Sequence, residues 1–348
     1  MSSKDDADDG SVNCGSGGGS NEFYGLRIAS IFIILVTSLF GALLPIVLRS
    51  QKGGRIRRHL FDFAKYFGSG VIIATAFIHL LAPAIDELGS PCLKGEWQTY
   101  PWALALCMLS IFSIFFTELI LFRWGTSILR RANTSYDHHG HDLGAHSAHG
   151  PEGTLGHTSA EVRGGVGEDS EYGGASKHPL AALDGSALAQ ITGIFVLEFG
   201  ILLHSLLIGL TLAVDENFKV LFVVLVFHQT FEGLGLGVRL AMAKLPDGYD
   251  ALRYAGALLF GFTTPLGIGI GLGVRHTYNP GSTTATIVSG VMDSLSAGIL
   301  IYTGLVELLA HEFLFDDAMK HTSNRRLIFA CGCMVLGAGV MALLGRWA

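Results

Sequence analysis

Val220-Leu-Phe-Val-Val-Leu-Val-Phe-His228-Gln229-Thr-Phe-Glu232-Gly233-Leu-Gly235-Leu-Gly237-Val238 sets a histidine and a carboxylate four residues apart in an otherwise apolar run. Helical spacing puts both side chains on one face, one turn apart. Ionisable groups deep in a membrane span cost free energy and mark ion or substrate paths. The preceding run, Leu188–Val214, carries Glu198, His204 and Ser205. Imidazole and carboxylate together suit a first-row divalent metal. The two runs point to a membrane protein that moves metal.

Composition agrees. Half of the 348 residues are hydrophobic and 15% are charged, with a mean hydropathy of +0.47. These values exclude a disordered or ordinary soluble chain. The 46 glycines suit close helix packing in a bilayer. A net charge of -6, concentrated at Asp5, Asp6, Asp8 and Asp9, gives no sign of a nucleic-acid partner. Cys107, Cys331 and Cys333 lie in apolar runs and read as core residues. Cys14 and Cys92 lie in polar segments, and sequence leaves open whether they pair.

Eight runs reach the roughly 20 apolar residues that a bilayer crossing needs: 26–48, 61–84, 101–122, 188–214, 220–242, 251–274, 284–310 and 327–347. They are numbered spans 1 to 8. The expected fold class is an all-α polytopic membrane protein with eight transmembrane helices. Residues 1–25 form a polar acidic tail without the basic and short apolar parts of a cleavable signal, so span 1 is expected to serve as the targeting signal.

Lysine and arginine set the orientation. Arg49, Lys52, Arg55, Arg57 and Arg58 follow span 1; Arg239, Lys244 and Arg253 flank the loop after span 5; Lys320, Arg325 and Arg326 follow span 7. The opposite loops hold one each, Lys94, Lys219 and Arg275. Both termini are therefore expected outside the cell. Residues 123–187, opened by Arg123, Arg130 and Arg131, are expected to be a disordered cytoplasmic loop separating spans 1–3 (26–122) from spans 4–8 (188–348). The Asn133 glycosylation sequon then goes unused. The loop carries His138, His139, His141, His146, His149, His157 and His178. Such a tract binds zinc-like ions weakly and reversibly, or serves as a pH-sensitive linker.

Each intramembrane residue has a plainer reading as well. His228 and Glu232 also read as a hydrogen-bonded pair joining two helices. The glycines at 233, 235 and 237, and a second histidine-bearing span, weigh toward a site. The short loop 215–217 makes spans 4 and 5 antiparallel neighbours, so their central residues should meet. His204, His228 and Glu232 would then hold one divalent ion and leave a position open for release. Because metal competes with protons for such ligands, binding depends on pH. Ser205 and Gln229 stand beside these ligands, and Gln229 offers a carbonyl oxygen. Glu198 reads either as a relay ligand or as a helix–helix hydrogen bond. Thr263-Thr264-Pro265 suggests an irregular segment in span 6, and Gly267, Gly269, Gly271 and Gly273 suggest close packing. His79, Asp86 and Glu87 in span 2, and Glu307, His311 and Glu312 in span 7, are entrance and exit candidates, or ordinary interfacial polarity.

Together these residues resemble the ZIP (Zrt/Irt-like) family of zinc and iron transporters. The likeness covers nearly the whole chain after residue 25. It rests on Glu198-Phe-Gly-Ile-Leu-Leu-His204-Ser205-Leu-Leu-Ile208-Gly209 and on His228-Gln229-Thr-Phe-Glu232-Gly233-Leu-Gly235, and is nearest to fungal plasma-membrane zinc-uptake transporters. It implies a ZIP-type bundle, import into the cytosol, and His204, His228 and Glu232 as primary metal ligands. It also implies spans 1, 4, 5 and 6 moving against spans 2, 3, 7 and 8, with a homodimer as a further expectation. Some members carry carboxylates where this chain has Ile208 and Gln229, so one principal intramembrane ion is expected.

The transported substrate is expected to be zinc, with iron(II) or a broader Fe/Mn/Zn range as the alternative, and no cofactor is expected. The lipid bilayer surrounds the bundle, and regulatory or ubiquitination machinery is a candidate partner of the loop. The expected location is the plasma membrane, with a vacuolar or other organelle membrane as the alternative. An intramembrane metalloprotease would want a helical HExxH-type motif, but Gln229 follows His228 and Phe315 stands where His311-Glu312 would need a second histidine; no enzyme is expected. Eight spans, outside termini and the His228–Glu232 pair count against a cation-diffusion-type exporter, and a non-transporting metal sensor would bind without flux.

Overall fold

A computed structural model describes residues 14, 22–49, 54–132, 185–243, 245, 249–279 and 281–347. Among them every regular element is helical. Eight helices among the described residues are long and apolar enough to cross a membrane. Span 1 is Tyr24–Arg49, span 3 Trp102–Ala132, span 4 Gly185–Val214, span 5 Phe218–Met242, span 6 Ala251–Val274 and span 8 Asn324–Leu344. Span 2 runs Arg55–Ala74, turns π-helical over Thr75–Leu81 and resumes over Ala82–Leu88. Span 7 runs Thr283–Tyr302 and is π-helical over Thr303–Phe315. The Ser282 hydroxyl caps its start by accepting from the Ala285 N–H at 3.4 Å.

Spans 2 and 7 reach further than hydropathy indicated, as does the helix of span 3, which continues past residue 122 to Ala132. Span 2 starts before residue 61 and passes 84, and span 7 passes 310. Their crossing segments are 33 residues each, about 50 Å at 1.5 Å per residue. Lys65, inside the run 61–84, and Glu312, just past residue 310, face each other at 3.5 Å. Span 6 stays helical through Pro265, so the expected irregular segment is absent there. The irregular turns fall in spans 2 and 7, the first of them just before Pro83, which lacks the N–H that would bond four residues back.

Ile72, Leu80, Ile201, Leu236, Phe260 and Leu300 bring spans 2, 4, 5, 6 and 7 together in the core. Phe32, Val36 and Phe40 of span 1, Phe112 and Phe116 of span 3, and Val335 and Leu343 of span 8 point outward and exposed. In water such a belt would drive aggregation; in hydrocarbon it is the surface facing the solvent. The chain is a multi-pass membrane protein.

Packing divides the helices into two groups. Span 1 lies along spans 5 and 6, and span 4 along span 6. Span 2 lies along span 8, while span 7 packs on span 3 and on the far end of span 2. The groups meet where span 2 touches span 5, span 4 touches span 7, and span 3 touches span 4. Spans 4 and 5 are consecutive and antiparallel, yet each packs mainly on other helices. Within the first group, a Cβ at Gly209 would overlap the Thr264 carbonyl, and one at Gly267 the Leu206 carbonyl. Gly269 and Gly273 have nothing within 4 Å, so only alternate members of the expected glycine series, 267 and 271, face a neighbour.

Fully buried Arg27 ties span 1 to the end of span 4. It donates to the Leu212 carbonyl at 3.0 Å and the Asp215 carbonyl at 2.7 Å. Its guanidinium lies 4.6 Å from the centre of the Phe218 ring. Cys14 and Cys92 form a disulfide with a Cα–Cα distance of 5.3 Å. Cys107 and Cys333 are buried as expected; Cys331 is exposed on the outer face, a correction to its reading as core.

Candidate metal site

Span 5 places His228, Gln229 and Glu232 at the centre of the bundle, each with 0% exposure. His228 Nε2 and Glu232 Oε2 are 3.6 Å apart, beyond hydrogen-bond range. Neither nitrogen of His228 and neither oxygen of Glu232 has a hydrogen-bonding partner among the described protein groups. The plain reading, a bonded pair fastening two helices, therefore does not fit. The His204 ring of span 4 lies 5.6 Å from that of His228. His204 Nε2, Ser205 Oγ and Gln229 Oε1 are also buried and unpartnered. Each buried polar atom left unmatched costs about 1–3 kcal/mol. Several in one place, on residue types that ligate divalent metals, are a donor set suited to a cation.

Gln229 is oriented within this set. Its Nε2 donates to the buried Thr264 hydroxyl of span 6 at 2.5 Å, leaving the carbonyl oxygen free. Thr264 matters here as an acceptor rather than as part of a kink. Among the described residues, no group of three His, Cys, Asp or Glu side chains closes around a common point as a finished metal cage.

His79, expected as an outlying candidate, lies beside the centre. It is 5% exposed, and its ring meets that of His228 edge-on at 4.9 Å. His79 Nε2 lies 2.8 Å from the Met341 carbonyl. A carbonyl only accepts, so Nε2 carries the proton and Nδ1 keeps the lone pair. His79 belongs to the π-helical stretch of span 2, a device frequent at functional positions.

Other expected residues stand apart. Glu198 is buried with Oε1 unpartnered, but it faces Gly256 of span 6, nearly two turns from His204. Asp86 and His311 are exposed, and Glu307 is half-buried near Glu118. His138, His139, His141, His146 and His149 of the loop lie outside the described residues. Glu312 joins Lys65 of span 2 at 3.5 Å and Arg239 of span 5 at 3.2 Å. It ties the two groups together at the end bearing Arg49 and Arg55.

One residue at the centre was not singled out from sequence. Asp293 of span 7 is 7% exposed, with Oδ1 3.4 Å from His204 Nδ1. Glu87 lies nearby, within electrostatic reach of Asp293 and His204 and bonded to the Ser289 hydroxyl. The signal was present: a carboxylate in an apolar run costs free energy and needs a partner.

Comparison with known proteins gives the family. The family described as ZIP Zinc transporter matches residues 24–345. "Zinc-regulated transporter 2" of Saccharomyces cerevisiae is 37% identical, over 98% of this chain and 98% of its own length. "Zinc-regulated transporter 1" of Schizosaccharomyces pombe is 40% identical, over 99% and 91%. "Fe(2+) transport protein 2" of Oryza sativa is 36% identical, over 93% and 86%. Eight crossing helices, a family match over nearly the whole chain and relatives aligned from end to end place this protein: it belongs to the ZIP zinc transporter family.

Proposed function

We propose that this chain imports divalent metal, zinc foremost, into the cytosol through His204, His228 and Glu232, with Ser205 and Gln229 alongside. The observation that carries the reading is the set of buried, unpartnered nitrogen and oxygen atoms on spans 4 and 5. His79 lines the same space. With Ile208 in place of a fourth strong ligand, one ion is held at a time. Neutral imidazole and ionised carboxylate bind the metal, so protons compete with it. No enzymatic chemistry is proposed, and the metal is cargo rather than a resident cofactor.

Both termini lie outside, by the distribution of lysine and arginine. A negative-inside potential of 100 mV favours inward movement of a divalent ion by about 4.6 kcal/mol, so import needs no second driving ion on that ground. Packing in two groups supports a motion of spans 1, 4, 5 and 6 against spans 2, 3, 7 and 8. The plasma membrane is the proposed location, with a homodimer as the assembly and the histidine loop as the place where regulatory or ubiquitination machinery acts.

Iron(II) is the second reading, because nitrogen and oxygen ligands accept it and one relative is named for Fe(2+) transport. Radiolabelled zinc uptake into zinc-starved yeast lacking its own uptake systems tests the proposal, with iron and manganese as competitors. Saturable uptake with zinc the preferred ion is expected. Uptake of iron but not zinc by surface-expressed protein would select the second reading, and no uptake of any metal would overturn both.

A further inference from the structure

We propose that Asp293 is a positioning residue that fixes His204 as a metal ligand through Nε2; the inference rests on the reading of His204 as a ligand. A carboxylate in an apolar span costs about 2.5–3.5 kcal/mol on insertion scales, so its presence in Val291-Met-Asp293-Ser294-Leu-Ser296 calls for a partner. Neighbouring hydroxyls do not supply one: Ser294 Oγ donates back to the Gly290 carbonyl at 2.6 Å. Glu87 is a second carboxyl group within electrostatic reach of Asp293, and its side chain is hydrogen-bonded to the Ser289 hydroxyl. The His204 ring is what remains, with Nδ1 3.4 Å from Asp293 Oδ1.

An ionised carboxylate only accepts, so Nδ1 carries the proton and donates. The lone pair is then on Nε2, the ring atom that is buried and unpartnered and the one left to face the cation. A carboxylate behind a ligating imidazole fixes the ring's tautomer and orientation and raises its basicity. The 3.4 Å separation is long for such a bond, and a cation on Nε2 acidifies Nδ1–H and tightens it. Asp293 thus acts through His204 and does not itself touch the metal. Span 7 and span 4 belong to different groups, so this contact also crosses the seam between them.

A double-mutant cycle on full-length protein purified in detergent tests this, with zinc affinity measured against a chromogenic chelator. Asp293→Ala is expected to weaken zinc binding about 10–100-fold, the usual range for such supporting carboxylates. In a His204→Ala background the same substitution is expected to change nothing further. Asp293→Asn keeps an acceptor oxygen and most of the shape, and should fall between wild type and alanine. It also serves if the alanine variant does not fold. Equal losses in both backgrounds would make Asp293 a direct ligand and overturn the proposal, as would unchanged affinity in Asp293→Ala and Asp293→Asn. Wild-type affinity in His204→Ala alone would instead remove the underlying site reading, and the proposal with it.

Discussion

Gly267→Ala adds one methyl group where spans 4 and 6 are closest. Its Cβ would overlap the Leu206 carbonyl oxygen and lie 3.2 Å from both Gly209 Cα and Leu210 N. Comfortable carbon contacts begin at about 3.5 Å, so the two helices must part by on the order of 1 Å, and gaps of 0.5–1 Å forfeit a quarter to a half of the contact energy along the interface. Overpacking of this kind costs about 1–3 kcal/mol. Gly269→Ala is the matched control, because nothing lies within 4 Å of that position. Both variants gain the same helix propensity, up to about 1 kcal/mol, so their difference isolates the overpacking. Leu206 is two residues from His204, and zinc uptake should fall in Gly267→Ala although the methyl touches no ligand. Thermal unfolding in a single detergent, with uptake at matched surface expression, reads both effects. Equal behaviour of the two variants would refute the packing described for spans 4 and 6.

Glu312→Gln should lower thermal stability by about 3–5 kcal/mol, because it leaves two largely buried cations without their carboxylate; side-chain exposure is 11% at Lys65 and 16% at Arg239. An unchanged unfolding temperature would show that the trio contributes nothing. Peptide mapping without reductant should recover Cys14 linked to Cys92, and separate free thiols at both positions would contradict the pairing. Deletion of residues 138–178 should leave zinc uptake intact while altering metal-dependent turnover of the protein. Loss of all flux in a correctly localised deletion would show that the loop takes part in transport.

Hydropathy and periodicity made the eight spans legible, because a bilayer admits few alternatives to a long apolar helix. The same contrast exposed His204, His228 and Glu232: a charge or imidazole in hydrocarbon needs a reason. Span ends were harder to read: Glu312 lies just past the run that ends at 310, and no window along one span sees its partners Lys65 and Arg239 on others. The π-helical turn that carries His79 toward His228 ends just before Pro83, a mark that flags a local break but not which side chain turns inward, so His79 read as peripheral. The glycines of span 6 were equally opaque: a periodic series says which residues share a face, and only the neighbouring backbone says which face is covered. Asp293 carried a weaker signal than Glu232: a carboxylate in an apolar run, with no histidine one turn away in span 7 to mark it as part of a site.

The most direct measurement is zinc uptake by Glu232→Ala in yeast without its own uptake systems, with surface expression matched to wild type. Glu232 is the one carboxylate among the three proposed ligands, and both of its oxygens are buried without a partner. The expected result is normal delivery to the membrane and uptake reduced to background. Wild-type uptake by the variant would contradict import through this site.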